Sequence, residues 1–153
     1  MPFNLNDQQC ESIEAMVNRE RDGYIQTDHG VVLHSRLGIN GNAAGSGKTR
    51  SMLALVHEDI QNHHMHNRPY VRVTSHGLLS YNEETLPNQH VHPTTLVLAN
   101  GSIRRQWIKE LKEANCLRYV LIDNVRRLAS FVPSETDVAI ISNAVYKKIV
   151  SMN

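Results

Sequence analysis

The sequence has 153 residues, of which 41% are hydrophobic, enough for one globular domain with a substantial core. Its 16 basic and 15 acidic residues nearly cancel, which excludes a strongly basic surface spread over the whole molecule. The two cysteines make no disulfide framework, no apolar run reaches the roughly 20 residues of a membrane span, and the first residues lack a secretory signal. We therefore expect a soluble, intracellular protein.

The first predicted element is an amphipathic helix from about Asn6 to Glu20. Its apolar residues fall at helical spacing, at Cys10, Ile13, Met16 and Val17. Asn6 is suited to cap the helix, and Gly23 to end it. The segment is therefore expected to bury one face and expose the other.

A glycine-rich segment follows, from Gly38 to Gly47. Short apolar runs at Val31–Leu33 and Leu37–Ile39 predict brief strands before it. After it, the spacing predicts a second helix, with a buried side formed by Met52, Leu53, Leu55 and Val56. The order is thus strand, glycine-rich loop, helix.

Hydrophobic periodicity is lost from Gln61 to Pro93, where only Val71–Thr74 alternates as a strand does. This composition predicts a surface insertion at about 61–93. Many of the histidines lie in or near it: His57, His63, His64, His66, His76, His90 and His92. A zinc site built from imidazoles is one hypothesis, but no cysteine or acid completes a usual ligand set, so a polar insertion is favoured.

Regular structure returns in the last third of the chain as three apolar runs, each followed by a helical pattern. The runs are Thr95–Ala99, Arg118–Ile122 and Val138–Ile141, and the helical segments are Ser102–Glu113, Val125–Phe131 and Ala144–Val150. Strands that are apolar on both faces and alternate with helices are typical of a parallel sheet covered on both sides. The sequence predicts an α/β fold with a mostly parallel sheet.

The segment that ends at Thr49 reads Asn-Ala-Ala-Gly-Ser-Gly-Lys-Thr, which fits the phosphate-loop pattern except for Asn42 in the first glycine position. Gly45 and Gly47 let the backbone curl so that its N–H groups point inward. The helix that follows adds partial positive charge where an anion would lie. The expected contacts are Ala44, Gly45, Ser46, Gly47, Lys48, Thr49 and Arg50.

This loop predicts binding of a nucleoside triphosphate, with ATP and Mg²⁺ as the expected pair. Lys48 would reach the β- and γ-phosphates, and the Thr49 hydroxyl would be an oxygen ligand of Mg²⁺. These two residues are the candidate catalytic residues. The alternative is a chance glycine turn before a helix, which the position of the predicted helix directly after Thr49 disfavours.

Four segments resemble superfamily II helicases, especially the Swi/Snf-like branch. Leu5–Glu20 resembles the opening helix of that branch, and Gly38–Thr49 its Gly-Ile-…-Gly-x-Gly-Lys-Thr segment. Leu96–Leu111 is similar to motif Ia, and Asp137–Asn143 to the strand near motif Ib. They follow one another in the order of the family. The resemblance implies that residues 1–153 form part of an N-terminal RecA-like lobe that binds ATP.

The resemblance also implies roles for single residues. Gln9 would bond the adenine edge, although a capping box with Asn6 explains it equally well. A nucleic-acid backbone, DNA more readily than RNA, would be held by Asn100, Gly101, Ser102, Ser142 and Asn143. The alternatives there are ordinary helix caps and a turn. Trp107 is expected to pack in the core, and Arg104 and Arg105 to be solvated or to reach the backbone.

Hydrolysis requires acids that bind Mg²⁺ and orient water, which the resemblance places in an Asp-Glu pair beyond motif Ib. We expect the chain to end before that pair, and the arginine fingers to belong to the remaining helicase lobe as a partner. Two alternatives stay open. Asp123, at the end of Tyr119–Ile122, would be the magnesium-binding acid of a small stand-alone NTPase or kinase, or the chain is a catalytically inert nucleotide-binding module.

Overall fold

The computed structural model describes residues 3–26, 30, 32–34, 38–61, 71–73, 79–81 and 94–151. Its helices are α1 (Asp7–Asp22), α2 (Lys48–Gln61), α3 (Gly101–Ala114), α4 (Val125–Ala129) and α5 (Asn143–Val150). Its strands are β1 (Tyr24–Gln26), β2 (Val32–His34), β3 (Val71–Val73), β4 (Leu79–Tyr81), β5 (Thr95–Leu98), β6 (Tyr119–Ile122) and β7 (Val138–Ile141). In this part of the chain no helix has the length and apolar character that crossing a membrane requires.

The last three strands form a parallel sheet in the order β5-β7-β6. The central strand pairs Ala139 with Leu96 on one side and with Val120 on the other. Helices follow all three strands, as expected for parallel strands, which need a crossover connection. The prediction of an α/β fold with a parallel sheet is confirmed at this level.

Two apolar clusters cover the two faces of the central strand. Val138 and Ile140 belong to the larger cluster, which includes buried residues of α1, α2 and α3. Ala139 and Ile141 belong to the smaller one, with Ile122 and with Val145 of α5. Because successive side chains of a strand point to opposite faces, a run buried at every position requires cover on both sides. The prediction that helices cover both faces therefore holds for β7.

The other described strands do not join the parallel sheet. β1 pairs with β2, and β3 with β4, in separate antiparallel pairs. β2 lies where Val31–Leu33 predicted a strand, whereas β1 was not predicted. The strand expected at Leu37–Ile39 is wrong for Gly38 and Ile39, which have no strand partner. Ile39 is 92% exposed, so its apolar character does not reflect burial.

Most of the predicted insertion at 61–93 lies outside the described residues, including the histidines beyond His57. Within it, β3 matches the strand predicted at Val71–Thr74 for Val71 to Val73 and pairs with β4 over three residues on each side. A strand pair of this length carries little stability of its own. The interpretation of this segment as a surface insertion stays a prediction.

An ion pair fixes the starts of the two neighbouring strands β6 and β7. Asp137 accepts a hydrogen bond from the Arg118 main-chain N–H at 2.7 Å, and its second oxygen accepts one from the guanidinium at 2.7 Å. Burial alone would raise the pKa of the Asp137 carboxyl, but these hydrogen bonds and the nearby positive charge outweigh it and hold that pKa below its usual value. The carboxylate is therefore ionised in the folded protein at neutral pH.

Candidate functional site

The glycine-rich loop contains two glycines at positive φ and is followed directly by α2. Gly45 and Gly47 have φ of 82° and 81°, in the left-handed region that glycine adopts without strain. Within the loop, the Ser46 N–H donates to the Ala43 carbonyl at 3.3 Å and closes a turn over residues 43–46. The helix begins at Lys48, directly after the second glycine. The positive end of α2 therefore lies at the loop, as the sequence predicted.

Lys48 is folded over the first part of the loop. Its Nζ donates to the carbonyl oxygens of Asn42 at 2.6 Å and of Ala43 at 2.9 Å. An ammonium group has three donors, so two are used and one remains for a ligand. The two carbonyls thus hold the charge beside the loop, where it would meet a bound phosphate. The assignment of Lys48 to the phosphates remains a prediction.

Asn42, which departs from the glycine of the usual pattern, has two contacts of its own. Its Nδ2 donates to the Ser12 hydroxyl at 3.0 Å, which joins the loop to α1. Its N–H donates to Asn40 Oδ1 at 3.2 Å. A glycine has no side chain to make the first of these bonds. The sequence marked Asn42 only as a departure, since nothing local indicates a partner thirty positions earlier.

Gln9 joins the cap of α1 to the same loop. Its Oε1 accepts from the Asn6 N–H at 3.0 Å, while the Gln9 N–H donates to Asn6 Oδ1 at 2.9 Å, which completes a capping box. Its Nε2 donates to the Ser46 carbonyl at 3.0 Å. The capping-box alternative is thus observed. The proposed contact with adenine remains a prediction, and it would use the second hydrogen on Nε2.

Two further side-chain features characterise this loop. The Ser46 hydroxyl is buried and has no hydrogen-bond partner in the described part of the chain, which is unusual for a polar group in a native structure. A Cβ at position 47 would collide with Gln9 Nε2, so the second glycine is required for space as well as for conformation. The Gln9 amide therefore occupies the space beside Gly47, whereas the Ser46 hydroxyl is left for a further partner. The assignment of the loop to a ligand stays a prediction.

The next two candidates lie in the first turn of α2. Thr49 is half-buried, and its role as a magnesium ligand stays a prediction. The Arg50 guanidinium donates to Glu110 Oε2 at 3.2–3.3 Å and lies 3.8 Å from Glu113, both on α3. This side chain therefore stabilises the packing of α2 against α3. Its predicted contact with the nucleotide is not tested by this geometry.

The candidate nucleic-acid residues meet at one edge of the parallel sheet. α3 follows β5 and α5 follows β7, and these strands are neighbours, so both helix N-termini lie at the carboxyl ends of adjacent strands. The Asn143 N–H donates to Asn100 Oδ1 at 3.1 Å. The structure thus brings the two predicted segments together: Asn100, Gly101 and Ser102 with Ser142 and Asn143. Whether they bind nucleic acid stays a prediction.

The capping alternatives at this edge have different outcomes. Asn100 occupies the cap position of α3, but its side chain makes no capping bond to that helix and contacts Asn143 instead. Ser142 Oγ accepts from the Val145 N–H at 3.3 Å, as a cap of α5 does. Trp107 is half-buried against the larger apolar cluster, so its predicted role in packing is confirmed. Arg105 is exposed.

Asp123, the alternative magnesium-binding acid, lies after β6 and is paired locally. Its Oδ1 accepts from Asn124 Nδ2 at 2.8 Å and lies 3.5 Å from Arg127 Nε. β6 is an edge strand, separated from β5 by β7. Among the described residues, none of the contacts of Asp123 leads to the phosphate loop. The structure therefore adds no support for this acid as a partner of Thr49.

No metal-binding cluster of three or more histidine, cysteine or acidic side chains occurs within the described ranges. The ring of His57 packs edge-on against Phe3, with the ring centres 6.1 Å apart. The other histidines of the zinc hypothesis fall outside the described residues, so that hypothesis stays untested.

Comparisons of the chain with protein-family models, with curated proteins and with solved structures found no match. The functional interpretation therefore depends on the geometry above and on the sequence resemblance.

Proposed function

We propose that this chain binds ATP with Mg²⁺ and is the ATP-binding portion of a superfamily II, Swi/Snf-like helicase or translocase, folded as a first RecA-like lobe. The observation that carries the proposal is a loop with two glycines in the left-handed region of φ, directly after which α2 begins. The parallel sheet and the order of the helicase-like segments along the chain support it.

The residues of the loop supply binding and orientation in this account. Main-chain N–H groups around Gly45 and Gly47 surround the phosphates, and the dipole of α2 adds positive charge at the same place. Lys48, held over the loop by two carbonyls, directs its remaining donor to the terminal phosphates. Thr49 would hold Mg²⁺, which neutralises the charge that develops on the transferred phosphoryl group.

A nucleic-acid strand would bind at the carboxyl ends of β5 and β7. Two helix N-termini side by side supply partial positive charge, which suits a phosphate backbone and reads no sequence. The Asn143 and Val145 N–H groups already donate to Asn100 and Ser142, so a phosphate would meet the other N–H groups of these two first turns. The contact is local, as the near-zero net charge requires. We expect weak binding, with DNA favoured over RNA. Coupling of ATP hydrolysis to movement would need the second lobe and the acid pair that the resemblance implies.

Acidic substitutions at the two helix N-termini test the nucleic-acid half of the proposal. Ser102→Asp and Asn143→Asp place a carboxylate where the strand's phosphates would lie, yet acids in a first helical turn are favourable for folding. Binding of a labelled single-stranded DNA, followed by fluorescence anisotropy at low salt, should weaken about tenfold in each variant. Ser134→Asp, at an exposed site in the turn Pro133–Glu135, should match the wild type. Equal DNA affinity in all four proteins would contradict this site.

The rate of ATP hydrolysis with and without single-stranded DNA separates the proposal from its alternatives. The chain alone should hydrolyse ATP slowly or not at all, because the catalytic acids and the arginine fingers are not supplied by the described site. Mg²⁺-dependent turnover that Asp123→Ala abolishes would support the stand-alone NTPase instead. Absence of both turnover and DNA binding would favour the inert nucleotide-binding module.

A further inference from the structure

A cleft of about 550 Å³ lies beside the phosphate loop, between α1, the segment 38–42 and α2. Its described lining includes Ala15, Met16, Arg19, Asn40, Met52 and Leu55. The lining reaches Asn42 and resumes at Met52, so the loop residues that would hold phosphate are not part of it. The cleft is thus next to the proposed nucleotide site and distinct from it. Its volume falls in the range of small-molecule sites.

Two hydrogen-bond donors in the lining are buried and have no partner among the residues that the structure describes. They are Arg19 Nη1, on α1, and Asn40 Nδ2, on the segment before the loop. Buried polar atoms in native structures are nearly always hydrogen-bonded, so a donor left alone indicates a missing acceptor. One of these donors lies on α1 and the other on the segment before the loop, and both belong to residues that line the cleft.

We propose that this cleft binds a small amphipathic oxyanion, with a carboxylate, sulfonate or phosphate head and an apolar body. The head accepts hydrogen bonds from Arg19 and Asn40, and the guanidinium supplies the charge that favours an anion. Ala15, Met16, Met52 and Leu55 provide apolar walls for the body. Glu20 also lines the cleft, but it is engaged in an interaction of its own. A neutral or cationic ligand would leave the guanidinium without a counter-charge.

The cleft is connected to Lys48 by a short chain of hydrogen bonds. Asn40 Oδ1 accepts from the Asn42 N–H at 3.2 Å, and the Asn42 carbonyl accepts from Lys48 Nζ at 2.6 Å. A ligand bonded to Asn40 Nδ2 would therefore fix the Asn40 side chain, which accepts from the Asn42 N–H. The Asn42 carbonyl is in turn one of the two that position Lys48. Occupation of the cleft changes the affinity of the loop for ATP. This coupling rests on the proposed function, whereas binding in the cleft does not.

Titration with 8-anilinonaphthalene-1-sulfonate, a fluorescent aromatic sulfonate, tests the cleft directly. Arg19→Met keeps the apolar stem and removes the donors, and Asn40→Asp keeps Oδ1 and replaces the donor with an acceptor. Each of these two substitutions should raise the Kd of the probe about tenfold or more. Arg21→Met is the matched control, because Arg21 lies on the same helix with its side chain exposed and paired to Asp22, and it should bind as the wild type does. Circular dichroism verifies that each variant is folded.

Filling the cleft provides a second, independent variant. Ala15→Trp leaves both donors in place and occupies the space between the walls, so it should abolish probe binding in a folded protein. The proposal is overturned if Ala15→Trp binds the probe unchanged, or if Arg21→Met loses as much affinity as Arg19→Met. The first result would mean that the dye binds to another surface, and the second that its sulfonate responds to any guanidinium on α1.

The coupling has its own measurement. The affinity for a fluorescent ATP analogue should differ at least threefold between protein saturated with the sulfonate and free protein, and the sulfonate's affinity should change by the same factor when ATP is bound. Unchanged ATP affinity with a filled cleft would overturn the coupling. If the free protein does not bind ATP at all while the sulfonate still binds, the proposed function is overturned and the cleft assignment is supported.

Discussion

At the scale of single residues, Gln9 connects the cap of α1 with the glycine-rich loop. Its side chain completes the cap of α1 and also bonds the Ser46 carbonyl of the phosphate loop. The positive φ of the two glycines and the capping box could be predicted, because both follow from local residue types and spacing. The bond between Gln9 and Ser46 could not, since it joins residues 37 positions apart and leaves no periodic signal.

Alanine substitutions at the two glycines separate backbone strain from crowding. Gly45→Ala introduces a Cβ at positive φ in open space, so only the strain of about 1–2 kcal/mol is expected. Gly47→Ala adds a collision with Gln9 Nε2, which must move and lose its bond to Ser46. We expect Gly47→Ala to lower the free energy of unfolding by about 1 kcal/mol more than Gly45→Ala, as measured by urea denaturation.

The double variant Gln9→Ala/Gly47→Ala completes the comparison. With the glutamine truncated, the added Cβ meets no side chain, so Gly47→Ala should cost little more than Gly45→Ala in that background. If Gly47→Ala is no more destabilising than Gly45→Ala in the wild-type background, the contact between Gln9 and position 47 does not constrain the loop.

At the scale of elements, a strand could be predicted correctly from a long apolar run, but not from a few apolar residues beside a glycine. β7 is buried at every position, and its sequence is apolar at every position. The expected strand at Leu37–Ile39 failed for Gly38 and Ile39 because a local apolar composition does not supply a partner strand. In the sheet, β7 lies between β5 and β6. This order depends on pairing between distant segments, so the periodicity of the sequence could not predict it.

The ion pair between Arg118 and Asp137, which holds the starts of β6 and β7, makes stability depend on pH. The pKa of Asp137 in the folded protein is below the ordinary value of 3.8. The unfolded chain therefore binds this proton more readily, so the contribution is present above about pH 4 and is lost as the pH falls through the folded-state pKa. Asp137→Asn should lower the free energy of unfolding by about 1–3 kcal/mol at neutral pH.

Urea denaturation at neutral pH and at about pH 3 measures this effect, and the difference between Asp137→Asn and the wild type should shrink in acid. Asp22→Asn is the control. Its partner Arg21 is also a guanidinium, but the pair is exposed, so we expect no measurable loss of stability. A cost of Asp137→Asn that is the same at both pH values would show that the carboxylate charge is not what stabilises the strand starts.

At the scale of the whole molecule, the two candidate sites belong to different layers of the fold. The phosphate loop is held by α1 and α2, and the candidate nucleic-acid edge is formed by the helices after β5 and β7. Packing of α2 on α3, with Arg50 bonded to Glu110, connects the two layers. The α/β class could be predicted because alternating elements are visible in the sequence, and the two candidate sites, which were proposed from motif order, stay predictions. It did not predict the contacts that join them.

Binding of a fluorescent ATP analogue in the presence of Mg²⁺ is the most direct test of the account. The wild type should bind it, and Lys48→Ala should raise its Kd about tenfold or more, because we propose that the ammonium held beside the loop by two carbonyls meets the phosphates. Lys112→Ala, which removes an exposed lysine from α3, should bind as the wild type does. Equal affinity of Lys48→Ala and the wild type would contradict the assignment of this loop to a nucleotide.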